Sequence, residues 1–451
     1  MMLSLGVLGG LLASGASAFQ AVRPSRTPAR AFSRTPKLAA VVNIEETAPR
    51  DVGAMDEWAT ACGVQRAGGI QLTSEDGSDF SVMTTQDLPD NSPVLYVPSE
   101  MILSSSGIRQ ELEGYIEDAE DLLGRLGAFN QLPQFHLFLK VLMEYERGDD
   151  SPFFPWLNSL PRWFSNGAAM TPFCYECLPP LVSRLAMDER VRFINFWNAL
   201  KKVEFLSDET KGNQDIARWA FNVVQTRSFS RDGVARIVPM ADMFNHGTET
   251  EIRTSYDDNG NCNVFTTKDV PAGSPLRMSY GDPTNPSQLL ATYGFLDETS
   301  PATFCKIMDI KPTVELENLG LDYSRMVFYK DTGEISEEVW DVLLYAKVLA
   351  SNKEHKQAFY EAHISGDVET KQSYHQFYFP QTATTLKKHV DTFLEELDTL
   401  LAKSDGKDVY EHPRLPLILS HNEFVKHTFL RVKAQLDPMV AQATGEPAQT
   451  Y

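Results

Sequence analysis

Ile237-Val-Pro-Met-Ala-Asp-Met-Phe-Asn-His246 and Met278-Ser-Tyr-Gly281 are the two stretches on which the reading of this chain turns. Tyr293-Gly-Phe295 follows, with Tyr293 thirteen residues after Tyr280. Strand-like character runs from Ile237 to Tyr280, with a turn expected at Asp257-Asp258-Asn259-Gly260. Upstream, Phe80 to Thr85 and Val94 to Val97 are strand-like, and Leu88 to Pro93 is turn-rich. Between these β-rich parts, residues 105–225 read as helical. Phe135 to Met143 is strongly apolar, and Phe193, Phe196, Trp197 and Leu200 recur at helical spacing. Beyond about residue 300 helical periodicity returns. Trp340, Leu343, Leu344 and Val348 mark one face, and Phe393, Leu394, Leu397, Leu400 and Leu401 another. A β-rich unit split by a helical insert and followed by an all-helical region is an α+β chain. No fixed-period repeat is visible.

The bulk numbers narrow the function. The chain has 451 residues, enough for two or three domains, and 42% apolar residues, enough for a substantial core. Its formal charge is −20. Residues 1–44 carry Arg23, Arg26, Arg30, Arg34 and Lys37 and no acid, so the rest is more acidic still. Such a body repels nucleic acid and anionic membrane surfaces, and it is expected to attract basic segments of other proteins. The five cysteines, at 62, 174, 177, 262 and 305, are odd in number and sparse, which implies no disulfide framework. Cys174-x-x-Cys177 lacks the second ligand pair of a zinc site, and His355, His363 and His375 show no metal-ligand spacing, so no metal is expected.

The front end reads as removable. Leu3 to Leu12 is uncharged and apolar or small, too short to span a bilayer but suited to a signal-peptide core, and Ala16-Ser17-Ala18 offers a cleavage pattern. The acid-free tract that follows, rich in Arg, Ser, Thr and Pro, resembles the second half of the bipartite presequence of complex plastids. Residues 1–44 are therefore expected to be a signal-plus-transit presequence directing the chain to a plastid. The alternative is a plain secretory signal with a basic linker. No segment reaches 18 consecutive apolar residues, so no lasting membrane anchor is expected.

Further segments fall in order with the opening motifs. They are Asp87-Leu88 and Val97-Pro98, Glu144-Tyr-Glu-Arg147 with Ser151, Pro155-Trp156-Leu157 and Leu160-Pro161, and Thr226-Arg227-Ser228-Phe229. Together with Pro239-x-x-Asp242-x-x-Asn245-His246, Tyr280-Gly281 and Tyr293-Gly-Phe295, they make residues 55–300 resemble the SET-domain methyltransferases of the Rubisco large-subunit methyltransferase type. The resemblance implies a presequence over 1–44, a SET domain over 45–300 with its insert at about 105–225, and a helical substrate-binding-like domain over 301–451. It implies S-adenosylmethionine as cofactor and a lysine of a non-histone protein as acceptor. Tyr280 would then be the catalytic hydroxyl. Phe80, Arg227, Asn245 and His246 would contact the cofactor, with Asp242 bracing that turn. Tyr256, Tyr293 and Phe295 would wall the lysine pocket.

The chemistry asks for such residues. Methyl transfer to an amine is an in-line displacement that needs alignment. A lysine amine, with a free pKa of about 10.4, must be neutral to attack, and burial in an aromatic channel beside a cation disfavours its charged form. One departure stands out. The family's glycine-rich cofactor loop aligns here with Asp79-Phe80-Ser81, unless the register slips to use Gly77. Two alternatives remain open: a histidine acceptor on the same fold, or a non-catalytic protein-binding module. Hydrolase, P-loop and zinc-protease motifs are absent from the sequence. Oligomeric state is open.

Overall fold

Four small antiparallel sheets carry the β-structure of residues 41–445, which a computed structural model describes. In chain order the strands are β1 (Gln65–Arg66), β2 (Ile70–Thr73), β3 (Ser81–Thr84), β4 (Pro93–Val97), β5 (Leu103–Ser104), β6 (Ser228–Arg231), β7 (Val234–Ile237), β8 (Ile252–Tyr256), β9 (Cys262–Thr266), β10 (Ala302–Phe304) and β11 (Val327–Tyr329). One sheet has the order β1-β4-β9-β8, another β5-β7-β6, and the pairs β2-β3 and β10-β11 complete the set. Two sheets therefore join strands from either side of a long helical insert. Leu95 pairs with Val264, and Leu103 with Ile237.

Local chemistry sets the turns. The β8–β9 connection is the expected Asp257–Gly260 turn. The Asp257 carboxylate accepts from the N–H groups of Asn259 and Asn261, and Gly260 takes the left-handed φ of +80°.

The main helices are α1 (Leu132–Arg147), α2 (Pro180–Leu200), α3 (Gln214–Arg227), α4 (Pro286–Tyr293), α5 (Val368–Ser404) and α6 (Leu415–Thr444). Asn213 caps α3 by accepting from the N–H groups of Asp215 and Ile216. Pro opens α4 and Gly294 closes it in the left-handed conformation. The backbone of Ser165 and Asn166 also crowds Gly294, so that an added Cβ would lie 2.5 Å from Asn166 N. The glycine of Tyr293-Gly-Phe295 is thus required twice, by its φ and by this approach.

Helix α2 ties the cores together. Phe193, Phe196, Ala199 and Leu200 lie in the core around the first three sheets. Val182 and Ala186 join a small cluster with Cys174, Cys177, Leu290 and Ile418, and Leu181 enters the C-terminal core of Phe304, Phe328, Phe359, Leu386 and Phe429. The expected Leu397 and Leu400 stripe is buried there.

One sequence expectation needs correction. The region after residue 300 is helical apart from its opening, where β10 and β11 pair. Phe304, Val327 and Phe328 favour extended backbone, and burying them outweighs the regional helical pattern. Val42, inside the expected presequence of residues 1–44, is buried in the first core. Residues 1–40, where the signal and transit motifs are expected, lie outside the described residues. No helix among the described residues is long and apolar enough to cross a membrane.

Candidate active site

The two opening motifs meet. His246 and Met278 form a parallel bridge, Met278 N–H donates to Asn245 O at 2.9 Å, and Gly247 N–H donates to Met278 O at 3.0 Å. This crossing brings Tyr280 back onto the turn before Asn245, where its hydroxyl donates to Phe244 O at 2.7 Å. Tyr280 N–H donates to His246 Nδ1 at 3.1 Å, so the imidazole carries its proton on Nε2, 3.3 Å from Asp297 Oδ2. Burial pulls the His246 pKa down, which keeps the ring neutral. Burial also pushes the Tyr280 phenol well above its usual range, so it stays protonated at neutral pH.

A cavity of about 920 Å³ opens on one side of Tyr280. Asp76 to Phe80, Arg50, Arg227, Asp242, Asn245 and Phe295 line it. Asn245 Nδ2 donates to Phe80 O at 3.0 Å and pins the loop that replaces the glycine-rich pattern. Gly77 supplies that loop with a φ of +77°, and Asp76 Oδ1 accepts from the N–H groups of Ser78 and Asp79. Gly77 therefore does the conformational work absent from Asp79-Phe80-Ser81.

The charges here are underpaired. Arg227 Nη1 donates to Asp242 O at 2.7 Å and lies 3.4 Å from Asp242 Oδ2, which also accepts from Trp156 Nε1 at 3.0 Å. Arg227 Nε, Asp242 Oδ1, Arg50 Nη2 and Arg162 Nε are buried without hydrogen-bond partners. Burial, with Arg227 and Arg162 nearby, pulls the Arg50 guanidinium down to about 9. A guanidinium keeps its proton at neutral pH, so an anion entering this cavity would be favoured beside it.

A second cavity, of about 510 Å³, shares part of this lining. Thr226, Arg227, Asp242, Tyr280 and Tyr293 line both. Gln225, Tyr256, Ser279, Thr292 and the β6–β7 hairpin complete the smaller one. The Tyr293 ring lies 4.9 Å from that of Tyr280, and its hydroxyl donates to Tyr280 O at 3.3 Å. Tyr256 is half-buried under the Arg236 guanidinium, with its phenol pushed up to about 12 by burial.

Most of the expected site residues therefore converge, with two differences of placement. Phe295, expected beside the lysine pocket, lines the larger cavity with Phe80 and Asn245. Tyr293 reaches both cavities, whereas Phe295, beyond the turn at Gly294, lines only the larger. His246 lies behind the wall, against Asp297 and the Phe295 ring at 5.6 Å, and lines neither cavity. Sequence reasoning missed Arg50, which sits in no motif yet stacks on Phe80 at 4.8 Å and donates to Ser159 O at 2.7 Å. It also missed the Trp156–Asp242 bond, although Pro155-Trp156-Leu157 was flagged as a motif.

No protein-family model matches the chain, and no curated protein matches it. Solved structures do. Rubisco LSMT bound to AdoMet superposes with a TM-score of 0.56 at 16% identity, covering 88% of this chain and 93% of that one. Rubisco LSMT bound to sinefungin and monomethyllysine gives 0.56 and 16% over 89% and 94%. The SET domain of LSMT bound to lysine and AdoHcy gives 0.56 and 14% over 88% and 92%. At such identities the likeness is one of architecture, and the chain has the α+β fold of these SET-domain structures.

Proposed function

We propose that this protein transfers a methyl group from S-adenosylmethionine to a lysine side chain of another protein. One observation carries the reading: two cavities that share Thr226, Arg227, Asp242, Tyr280 and Tyr293 in their lining. An in-line transfer needs such an arrangement, with donor and acceptor entering from opposite faces and meeting end-on. The solved neighbours bind AdoMet, AdoHcy or sinefungin, and lysine or monomethyllysine. Residues 45–300 would form the catalytic domain and residues 301–451 the substrate-binding-like domain.

The larger cavity suits the cofactor's polar groups. The unpartnered donors of Arg50 and Arg227 match a carboxylate, the unpartnered Asp242 Oδ1 matches an ammonium, and the Asn245-pinned loop offers backbone groups. When bound, S-adenosylmethionine supplies an electrophilic methyl on a cationic sulfur. The chain's own residues do the rest. The Tyr280 proton is committed to Phe244 O, so the phenol presents oxygen lone pairs at the shared wall, where they accept weak C–H···O contacts. Tyr280 is no general base, because burial keeps it protonated. Tyr256 and Tyr293 confine the acceptor and disfavour its ammonium form, so its proton leaves to solvent before attack.

The test is methyl-label transfer into a fractionated plastid lysate, with mass spectrometry of the acceptor, alongside calorimetry with S-adenosylmethionine. One-site binding and labelled lysine are expected. Absence of binding heat would falsify the enzymatic reading. We further propose plastid residence. A fluorescent fusion of residues 1–44 that stays outside the plastid ends that part.

A further inference from the structure

The net charge of the chain and the charge of the smaller cavity have opposite signs. Among the described residues, the ionised side chains lining that cavity are Arg227, Arg231, Arg236 and Asp242. Asp242 is fully buried and pairs with Arg227, so neither presents free charge to the mouth. Arg231 and Arg236 do. They belong to the β6–β7 hairpin, where Phe229 pairs with Arg236 and Arg231 with Val234.

Arg236 lies over the Tyr256 ring with its guanidinium carbon 4.9 Å from the centroid, and its one hydrogen bond is to Val234 O at 3.5 Å. It has no ion-pair partner among the described residues. Arg231 has one, Asp232 at 3.6 Å, but both side chains are exposed, and such a pair is worth little in water. The Debye length is about 8 Å at physiological salt. A segment threading past Tyr256 therefore responds to these two guanidiniums and is screened from most of the acidic surface behind.

We infer that the acceptor lysine is carried on an acidic segment, with carboxylates flanking the lysine received by Arg231 and Arg236. This deepens the lysine-transfer reading and rests on it. It also reverses the expectation, drawn from net charge, that basic segments would be preferred.

Fluorescent lysine peptides flanked by glutamates, glycines or arginines test the inference by anisotropy, with methyl transfer measured in parallel. The expected order is glutamate over glycine over arginine, with at least about fivefold between the ends. The double variant Arg231→Glu/Arg236→Glu is expected to reverse that order. Cofactor calorimetry on the same variant reports folding, since neither arginine lines the larger cavity. Should it fail to fold, Arg231→Gln/Arg236→Gln is expected to abolish the preference. Equal binding of all flanks, or preference for arginine, overturns the inference. Acid-preferring binding without methyl transfer on any peptide leaves the acidic docking preference at Arg231 and Arg236 standing and removes the lysine-transfer reading. Transfer indifferent to the flank does the reverse.

Discussion

The two cavities that share Tyr280 hold their charges differently. In the larger, Arg50, Arg227 and Asp242 are held by the protein's own hydrogen bonds, yet each keeps a buried polar atom without a partner. In the smaller, Arg231 is exposed and Arg236 lies half-buried over the Tyr256 ring. Leaving a buried polar atom without a partner costs about 1–3 kcal/mol, whereas an exposed ion pair is worth about 0.2–1 kcal/mol. A ligand of fixed charge pattern would satisfy the first side, and the second would only bias among many. A cofactor and a variable peptide would divide in this way.

The sharpest way to break the comparison is at the wall itself. Tyr280→Phe is expected to lower kcat/KM by about 10²–10³-fold, while cofactor affinity changes by less than about threefold. Single-turnover kinetics and calorimetry check this, and equal loss in both would place Tyr280 in binding alone. Next in size is Asn245→Ala, which leaves Phe80 O unpinned. Cofactor affinity should fall by about 10–100-fold with peptide binding retained.

A buried cation beside neither cavity provides the contrast. Lys306 Nζ donates to Ser287 Oγ at 2.7 Å, and Ser287 Oγ lies 3.1 Å from His421 Nε2. Burial pulls the Lys306 pKa from 10.5 down to about 7. Above pH 7 the folded state releases a proton that the unfolded state keeps up to pH 10.5. Stability should therefore rise with pH through this window, on the order of 1 kcal/mol per pH unit from this group. Thermal melts at pH 7 and 9 on the wild type and Lys306→Met measure the difference. A variant slope equal to the wild-type slope would show that the lysine is not buried as described.

The smallest expected effect sharpens the loop assignment. Gly77→Ala forces a side chain into the left-handed region at a cost of about 1–2 kcal/mol, although nothing crowds the added Cβ. Cofactor affinity should weaken by about five- to twentyfold. An unchanged value would mean that the Asp76–Phe80 loop does not touch the cofactor.

Much of this site was legible because its chemistry is local. Asn245, His246, Tyr280 and Tyr293 sit in short motifs whose order and spacing identify them, and the Asp257–Gly260 turn announces itself through Asp and Gly. Arg50 was not legible. An arginine in an unremarkable N-terminal segment gains its role only where the fold lays it on Phe80. The C-terminal stripes predicted buried helix faces correctly, but helical period said nothing of β10 and β11, three-residue strands with no period to detect.

The sequence alone determined most element types, the Asp257–Gly260 turn, and the motif side chains that gather near Tyr280, because these follow from backbone preference and short-range pattern. Tertiary structure decided which residues face which cavity, placing Tyr293 in the lining of both and Phe295 in that of the larger alone. It also decided the local sign of charge. Net charge sums the whole chain, whereas a docking segment feels only the groups that folding places within a screening length of it.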